Sequence, residues 1–200
     1  VHDKSSSQKR LYPCDRGFDH FYGTWWGAND YFKPKFMMKN HELIDDNTKY
    51  PDDFYLTHAL SDSAIEFVEE QNDQKKPFFL YLAHYAPHAP IQAPEERIQK
   101  CLKRYKSGFV QLQLDRFECQ KKFGVAPKNA VLRNQSGSWK KLSVQQKNTW
   151  MRTMATYAAM IEIMDDGIGQ LIDVLKENGQ YENTLIVFLS DNGSTPERKN

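Results

Sequence analysis

The sequence lacks several features that would narrow its function at once. It holds three cysteines, Cys14, Cys101 and Cys119, an odd number without the paired spacing of a zinc site. Its 27 basic and 26 acidic residues give a net charge of +1, which provides no overall attraction to nucleic acid or to an anionic membrane. No apolar run approaches the roughly 20 residues of a membrane span. What remains is a globular chain of 200 residues, 40% of them hydrophobic, which is enough for a real core.

Both ends of the sequence look cut. It begins at Val1 rather than at a methionine, and it ends at Asn200, only a few positions after a predicted strand. We therefore expect residues 1–200 to be an internal part of one longer domain.

Helical and extended patterns alternate along the chain. Apolar residues recur at helical spacing in four segments, and a short hairpin or extended arm is predicted before the first of them. A capping box at Ser143 and Gln146 predicts the start of the longest helix, and Gly179 suits its end. The predicted helices are Tyr55–Glu70, Ala93–Lys106, Phe109–Phe123 and Ser143–Asn178, and the predicted hairpin is Phe36–Asp46.

Two short apolar runs, Phe78–Ala83 and Leu185–Leu189, have the composition of strands that are buried on both faces. Because helices lie between them, a parallel arrangement is favoured, and both runs would then end at the same edge of one sheet. The sequence thus predicts an α/β fold with a mostly parallel central sheet flanked by helices.

Polar residues follow the second run. Asp191 offers a carboxylate and Asn192 an amide carbonyl, which are the hard oxygen ligands that Ca²⁺ or Mg²⁺ prefers. Gly193 would let the chain turn away after them. The same three residues also form a common turn sequence, so a plain turn is the competing interpretation.

Two histidines follow the first run. Pro87 and Pro90 exclude a helix around His88 and are expected to hold its loop extended, so that the ring can point into a cleft. We interpret His84 as a structural residue, and local sequence leaves His88 open between function and loop anchoring. An aspartate, an asparagine and a histidine at one sheet edge would fit hydrolysis of an anionic ester beside a divalent cation.

In ordered pieces, the sequence resembles the sulfatase family of the alkaline-phosphatase-like superfamily. The matching pieces correspond to the segment after the family's Gly-Lys-Trp-His signature, its central strand and histidine loop, its long helix and its metal-binding strand end. A further piece, Arg104–Lys128, is similar to the bacterial-type arylsulfatase branch. The other pieces are Arg16–Gly23, Pro77–Ala83, Ala86–Pro90, Gln92–Pro94, Tyr157–Gly169 and Asn183–Gly193.

The resemblance implies an alkaline-phosphatase-like sandwich, with residues 1–200 as part of a single sulfatase catalytic domain cut at both ends. It implies that Asp191 and Asn192 bind Ca²⁺ rather than Mg²⁺, and that His88 contacts the sulfate group or the leaving oxygen. The substrate would be an aryl or carbohydrate sulfate ester, and the enzyme would be exported, periplasmic or lysosomal.

The family's nucleophile is a formylglycine made from the first residue of a Cys/Ser-x-Pro-x-Arg motif. None of the three cysteines lies in that pattern, we expect no serine of this chain to lie in it either, and the resemblance places the motif before Val1. We therefore predict that these 200 residues alone have no sulfatase turnover. Two alternatives stay open: a phosphodiesterase or phosphonate hydrolase of the same superfamily, and a non-catalytic protein that binds sulfated glycans. The upstream sequence would separate them, since phosphoryl chemistry would use a threonine or an unmodified serine.

Overall fold

Four helices dominate the computed structural model, which describes residues 12–25, 27, 29–44, 50–74, 76–132, 139–190 and 192–193. They match the four predicted helices. None of the described helices combines the length and apolar character that a membrane span requires. The helices are α1 (Leu56–Gln74), α2 (Glu95–Tyr105), α3 (Gly108–Lys122) and α4 (Val144–Glu177).

The longest helix, α4, begins and ends as the sequence predicts. The Ser143 hydroxyl accepts a hydrogen bond from the Gln146 N–H at 3.2 Å, and the Gln146 side chain accepts one from the Ser143 N–H at 2.9 Å. Beyond the last turn, Gly179 adopts a φ of 69°, a left-handed conformation that costs glycine little. There, the N–H groups of Gly179 and Gln180 donate to carbonyls of the last turn at 3.0 and 2.8 Å.

The core forms where α1 and α2 pack against α4. The first residues of α1, the inward face of α2 and the middle of α4 are buried together with aromatic residues of the preceding loops. Cys101 of α2 is buried among them, and all three cysteines are free thiols. The core residues are Tyr31, Met37, Tyr55, Leu56, Ala86, Ala93, Ile98, Cys101, Ala155, Ala159, Met160 and Ile163.

A small antiparallel sheet covers one side of this core. Its strands are β1 (Tyr22–Thr24), β2 (Met37–Lys39) and β3 (Glu42–Leu43), in the order β1-β2-β3. The β2–β3 pair confirms the hairpin predicted from Phe36 onward. Asn40 adopts a φ of 55° in its turn, a conformation that asparagine tolerates better than most residues.

The two predicted parallel strands are not strands in this structure. Side chains of Phe78–Ala83 alternate between half-buried and exposed, and Phe79 is 76% exposed. Leu185–Leu189 is exposed throughout, with Leu185 at 91%. Within the part of the chain that the structure describes, neither segment has a backbone hydrogen bond to a neighbouring strand. The physical reason is that a strand needs a partner backbone, and among the described residues neither segment forms the hydrogen bonds of a ladder.

Candidate functional site

The loop Tyr85–Gln92 carries His88, and it turns rather than running extended. The His88 N–H donates to the Tyr85 carbonyl at 3.0 Å, which closes a turn around Pro87. No helix forms here, as the prolines predict, but the prediction of an extended loop is wrong. The cause is this closing hydrogen bond, which bends the chain just after the segment Phe78–Ala83.

The His88 ring is exposed, and its own loop fixes its tautomer. Nδ1 lies 2.6 Å from the Ala89 carbonyl oxygen, and the ring lies against Tyr85 with 5.3 Å between ring centroids. A carbonyl oxygen only accepts hydrogen bonds, so Nδ1 carries the proton in this contact. Nε2 is therefore the nitrogen that can take up or release a proton toward a ligand.

Three residues, Asp30, Tyr31 and Gln92, tie this loop to the segment before β2, and we call them the clasp. The Tyr31 hydroxyl donates to the His88 carbonyl at 2.9 Å. The Gln92 side chain accepts from the Tyr31 N–H at 3.0 Å and donates to the Asp30 carboxylate at 2.8 Å. A further bond runs from the Tyr55 hydroxyl to the Gln92 carbonyl at 2.9 Å. Sequence reasoning missed the clasp, because its partners lie 57 to 62 positions apart.

The ionisation of the clasp suits these bonds. Burial raises the pKa of the Asp30 carboxyl, but hydrogen bonds from the Gln92 side chain and from the Lys33 and Phe32 N–H groups outweigh it and hold the pKa below its usual value. Burial raises the pKa of the Tyr31 hydroxyl far above its usual value. At neutral pH the clasp is thus a carboxylate acceptor and a protonated phenol donor.

His84 lies in a different environment from His88. Its ring nitrogens are buried, and neither has a hydrogen-bond partner within the described ranges of the chain. Burial lowers the pKa of His84 to about 4, so the ring is neutral at pH 7. This environment agrees with a structural role, and the choice of His88 over His84 as the functional histidine stays a prediction.

The predicted metal ligands stand at the other end of the chain. Asp191 lies outside the described residues. The Asn192 Nδ2 donates to the Gly193 carbonyl at 2.8 Å, which leaves its Oδ1 with lone pairs for a cation. Within residues 12–193, as far as they are described, no group of three or more His, Cys, Asp and Glu side chains is placed to hold a metal ion. Asn192 therefore fits as one ligand of a shell that needs others.

The predicted meeting of His88 with the metal ligands is not seen. No hydrogen bond or ring contact between described residues joins the His88 loop to Ser190, Asn192 or Gly193. Their convergence at one sheet edge stays a prediction.

A groove of about 1120 Å³ lies in another part of the described structure. Its walls are α1, the segment Arg16–Trp25 and the extended segment Pro77–Ala83, and neither His88 nor Asn192 lines it. Phe79 and Tyr81, both more than 70% exposed, are among its lining residues. The groove nevertheless borders the His88 loop, because Tyr85, which packs against the His88 ring, is one of its lining residues.

One serine has the spacing of the nucleophile motif. Residues 194–198 read Ser-Thr-Pro-Glu-Arg, which fits Ser-x-Pro-x-Arg, so the expectation that no serine of this chain lies in the motif is wrong. The prediction that the nucleophile itself lies before Val1 stays untested. These residues lie outside the described part of the structure. They follow the predicted metal-binding strand end, whereas the resemblance places the nucleophile before Val1, so we keep the prediction and use Ser194 in its test.

Comparisons with known proteins match nearly the whole chain to sulfatases. The family model for Sulfatase matches residues 2–200. An uncharacterised sulfatase of Schizosaccharomyces pombe is 33% identical over 201 residues, covering 92% of this chain and 36% of the relative. An arylsulfatase of Klebsiella aerogenes is 32% identical over 193 residues, covering 92% of this chain and 41% of the relative.

Two crystal structures are similar in fold. Ps i-CgsB in complex with k-i-k-neocarrahexaose is 26% identical with a TM-score of 0.50, covering 87% of this chain and 32% of the other. The protein yidJ of Bacteroides fragilis, a candidate sulfatase, has a TM-score of 0.51 at 24% identity, covering 86% of this chain and 31% of the other. The architecture is thus part of an α/β domain of the alkaline-phosphatase-like class.

Within that class, the chain belongs to the sulfatase family. It spans 36 to 41% of the length of these two curated relatives.

Proposed function

We propose that this chain is part of the single catalytic domain of an arylsulfatase-like sulfuric ester hydrolase, which cleaves aryl or carbohydrate sulfate esters. The observation that carries the proposal is the match of the Sulfatase model to residues 2–200, with 32% identity to an arylsulfatase. In this proposal the enzyme is exported, periplasmic or lysosomal, and its formylglycine nucleophile lies outside residues 1–200.

His88 is the residue of this chain that we assign to the chemical step. Its Nδ1–H is held by the Ala89 carbonyl, so Nε2 is the nitrogen left for the ester, and in the imidazolium form its N–H can donate to the leaving oxygen or to a sulfate oxygen. A histidine suits this role because its usual pKa lies near neutrality. The exposure of the ring leaves room for a ligand beside it.

Asp191 and Asn192 are the residues that we assign to a divalent cation, with Ca²⁺ preferred to Mg²⁺. The Asn192 Oδ1, which accepts no hydrogen bond from the described residues, and the carboxylate of Asp191 are suitable donors. When bound, the cation would neutralise negative charge on the sulfate oxygens. Since Ca²⁺ takes about six to eight oxygens, the remaining ligands would come from elsewhere in a longer chain.

Exposed apolar segments support the proposal that this is part of a larger domain. Leu185–Leu189 and the face of Phe79 and Tyr81 expose apolar surface that folded domains normally bury. Additional strands of a longer chain would cover them, and such strands would also supply the partners that Phe78–Ala83 and Leu185–Leu189 do not find among the described residues.

The test compares substrate classes in the chain extended to the length of its relatives, which we call the full-length enzyme. We expect turnover of an aryl sulfate to exceed turnover of a phosphate diester and of a phosphonate ester by a large factor. The reverse preference would assign it to phosphoryl chemistry. Binding of a sulfated oligosaccharide without turnover of any of these esters would indicate the non-catalytic alternative. The bound neocarrahexaose of Ps i-CgsB makes a carbohydrate sulfate a second substrate to assay.

A further inference from the structure

The backbone of the His88 loop is held by a segment far earlier in the chain. The Tyr31 hydroxyl reaches the His88 carbonyl itself, across 57 positions of sequence. The Gln92 side chain uses both its oxygen and its nitrogen, on the Tyr31 N–H and on Asp30. These contacts bracket the histidine, one at its own carbonyl and one at the end of its loop.

The His88 side chain, by contrast, has little to hold it. The ring is exposed, and in the described structure it contacts only its own loop, through the Ala89 carbonyl and the Tyr85 ring. An exposed ring of this kind takes its direction from the backbone that carries it. The direction of Nε2 therefore depends on whatever fixes the loop.

We propose that Tyr31 and Gln92 are positioning residues for His88, which fix its loop so that Nε2 faces the ester in one orientation. This inference rests on the proposed function, in which His88 acts in the chemical step. Misplacement of a reacting group by about 1 Å can cost about 100-fold in rate. The clasp thus affects the reaction without touching the substrate.

The chemistry of the clasp demands these residue types. Tyr31 is fully buried, so its hydroxyl would be left without a partner if it did not reach the His88 carbonyl. Asp30 also accepts from the N–H groups of Phe32 and Lys33, both at 2.8 Å, so its carboxylate is fixed in place. Only a side chain with one acceptor and one donor can join the Tyr31 N–H to that carboxylate, and Gln92 is such a side chain.

The first test measures kcat and KM of the full-length enzyme on an aryl sulfate. Tyr31→Phe removes only the hydroxyl, and Gln92→Ala removes the double contact. Each should lower kcat by about 10- to 100-fold and leave KM within about twofold, since the substrate contacts remain. Unchanged kcat in both variants would overturn the proposal.

Two matched controls lose the same kind of bond elsewhere. Tyr50→Phe removes a hydroxyl that donates to the Pro34 carbonyl at 3.1 Å, outside the His88 loop. Gln111→Ala removes an amide that donates to Asp115 at 2.7 Å on α3. Both should retain wild-type kcat, and an equal loss of kcat in these controls would show a general effect on folding and would overturn the positioning role.

A rescue experiment separates positioning from mere loss of packing. Gln92→Glu keeps the acceptor for the Tyr31 N–H but places a second carboxylate against Asp30, so kcat should fall as in Gln92→Ala. Adding Asp30→Asn exchanges donor and acceptor across the same bond, and the new amide oxygen can still accept from Phe32 and Lys33. The double substitution should recover most of kcat, and failure to exceed the single Gln92→Glu variant would contradict the clasp.

A measurement without turnover completes the test. The His88 N–H donates to the Tyr85 carbonyl, so its hydrogen exchange reports opening of the loop. Exchange should be about two- to tenfold faster in Tyr31→Phe than in wild type, because the loop loses the one hydrogen bond at the His88 carbonyl, and unchanged in Tyr50→Phe. Equal exchange rates in Tyr31→Phe and wild type would contradict the clasp. If His88→Ala kept full activity, the proposed role of His88 would fail, while this exchange measurement would still decide whether the clasp holds the loop.

Discussion

Two glycines of α4, Gly167 and Gly169, should respond to alanine in opposite directions. A Cβ at Gly167 would lie 2.2 Å from the Ser61 Oγ and 2.8 Å from the Ser61 Cβ, whereas a Cβ at Gly169 would have nothing within 4 Å. The Ser61 hydroxyl could rotate away, but its Cβ is fixed to the backbone of α1. Gly167→Ala therefore requires the two helices to move apart.

The expected magnitudes follow from the balance of packing and helix propensity. Overpacking a core costs about 1–3 kcal/mol, and two contacts this short place Gly167→Ala at the upper end. Replacing glycine by alanine inside a helix returns about 1 kcal/mol. We expect Gly167→Ala to lower the free energy of unfolding by about 2 kcal/mol, and Gly169→Ala to raise it by about 1 kcal/mol.

Urea unfolding followed by circular dichroism measures both variants against wild type. A double-mutant cycle with Ser61→Gly tests whether Ser61 causes the loss of stability. Removing the Ser61 Cβ should make Gly167→Ala far less destabilising than it is in the wild-type background. If Gly167→Ala were as stable as wild type, the close packing of α1 on α4 would be refuted. The same cost for Gly169→Ala would mean that glycine at these positions matters for some reason other than Ser61.

Three further predictions concern ionisation, metal and completeness. Burial lowers the pKa of His84 to about 4 from its usual 6.5. Between these two pH values the unfolded chain therefore binds more protons than the folded chain. The free energy of unfolding should thus fall by up to about 3 kcal/mol as the pH drops from 6.5 to about 4. His84→Leu should lack this slope in urea titrations. Calorimetry on the full-length enzyme should show that Asp191→Ala weakens Ca²⁺ binding more than Asn192→Ala does, since it removes a full charge. If Asp191→Ala bound Ca²⁺ with wild-type affinity, residues 191–193 would be a plain turn and not a metal site. The 200 residues alone should not turn over an aryl sulfate, and turnover that Ser194→Ala abolishes would contradict this.

Features set by neighbouring residues could be predicted from the sequence. The four helices follow from apolar spacing that one helix face must bury, and both ends of α4 follow from local chemistry, the capping box at Ser143 and the left-handed glycine at Gly179. The β2–β3 hairpin is local in the same way. The family resemblance depends on ordered motifs along the whole chain, and the match to residues 2–200 confirms it.

Features that depend on distant partners could not be predicted. Phe78–Ala83 and Leu185–Leu189 have the composition of strands, but pairing also needs an adjacent backbone, which composition does not specify. The clasp joins Gln92 to Asp30 across 62 positions, and no periodicity links them. The strands β1 to β3 have two or three residues each, too few for an alternating pattern to be read reliably.

The central claim is that this chain supplies His88 to the hydrolysis of a sulfate ester. Its most direct test is the single-turnover rate on an aryl sulfate in the full-length enzyme, compared between His88→Ala and His84→Ala. Loss of a positioned acid should slow the chemical step by about 10²–10⁴-fold in His88→Ala, with a much smaller effect in His84→Ala. Equal and mild effects of the two substitutions would contradict the assignment of this loop.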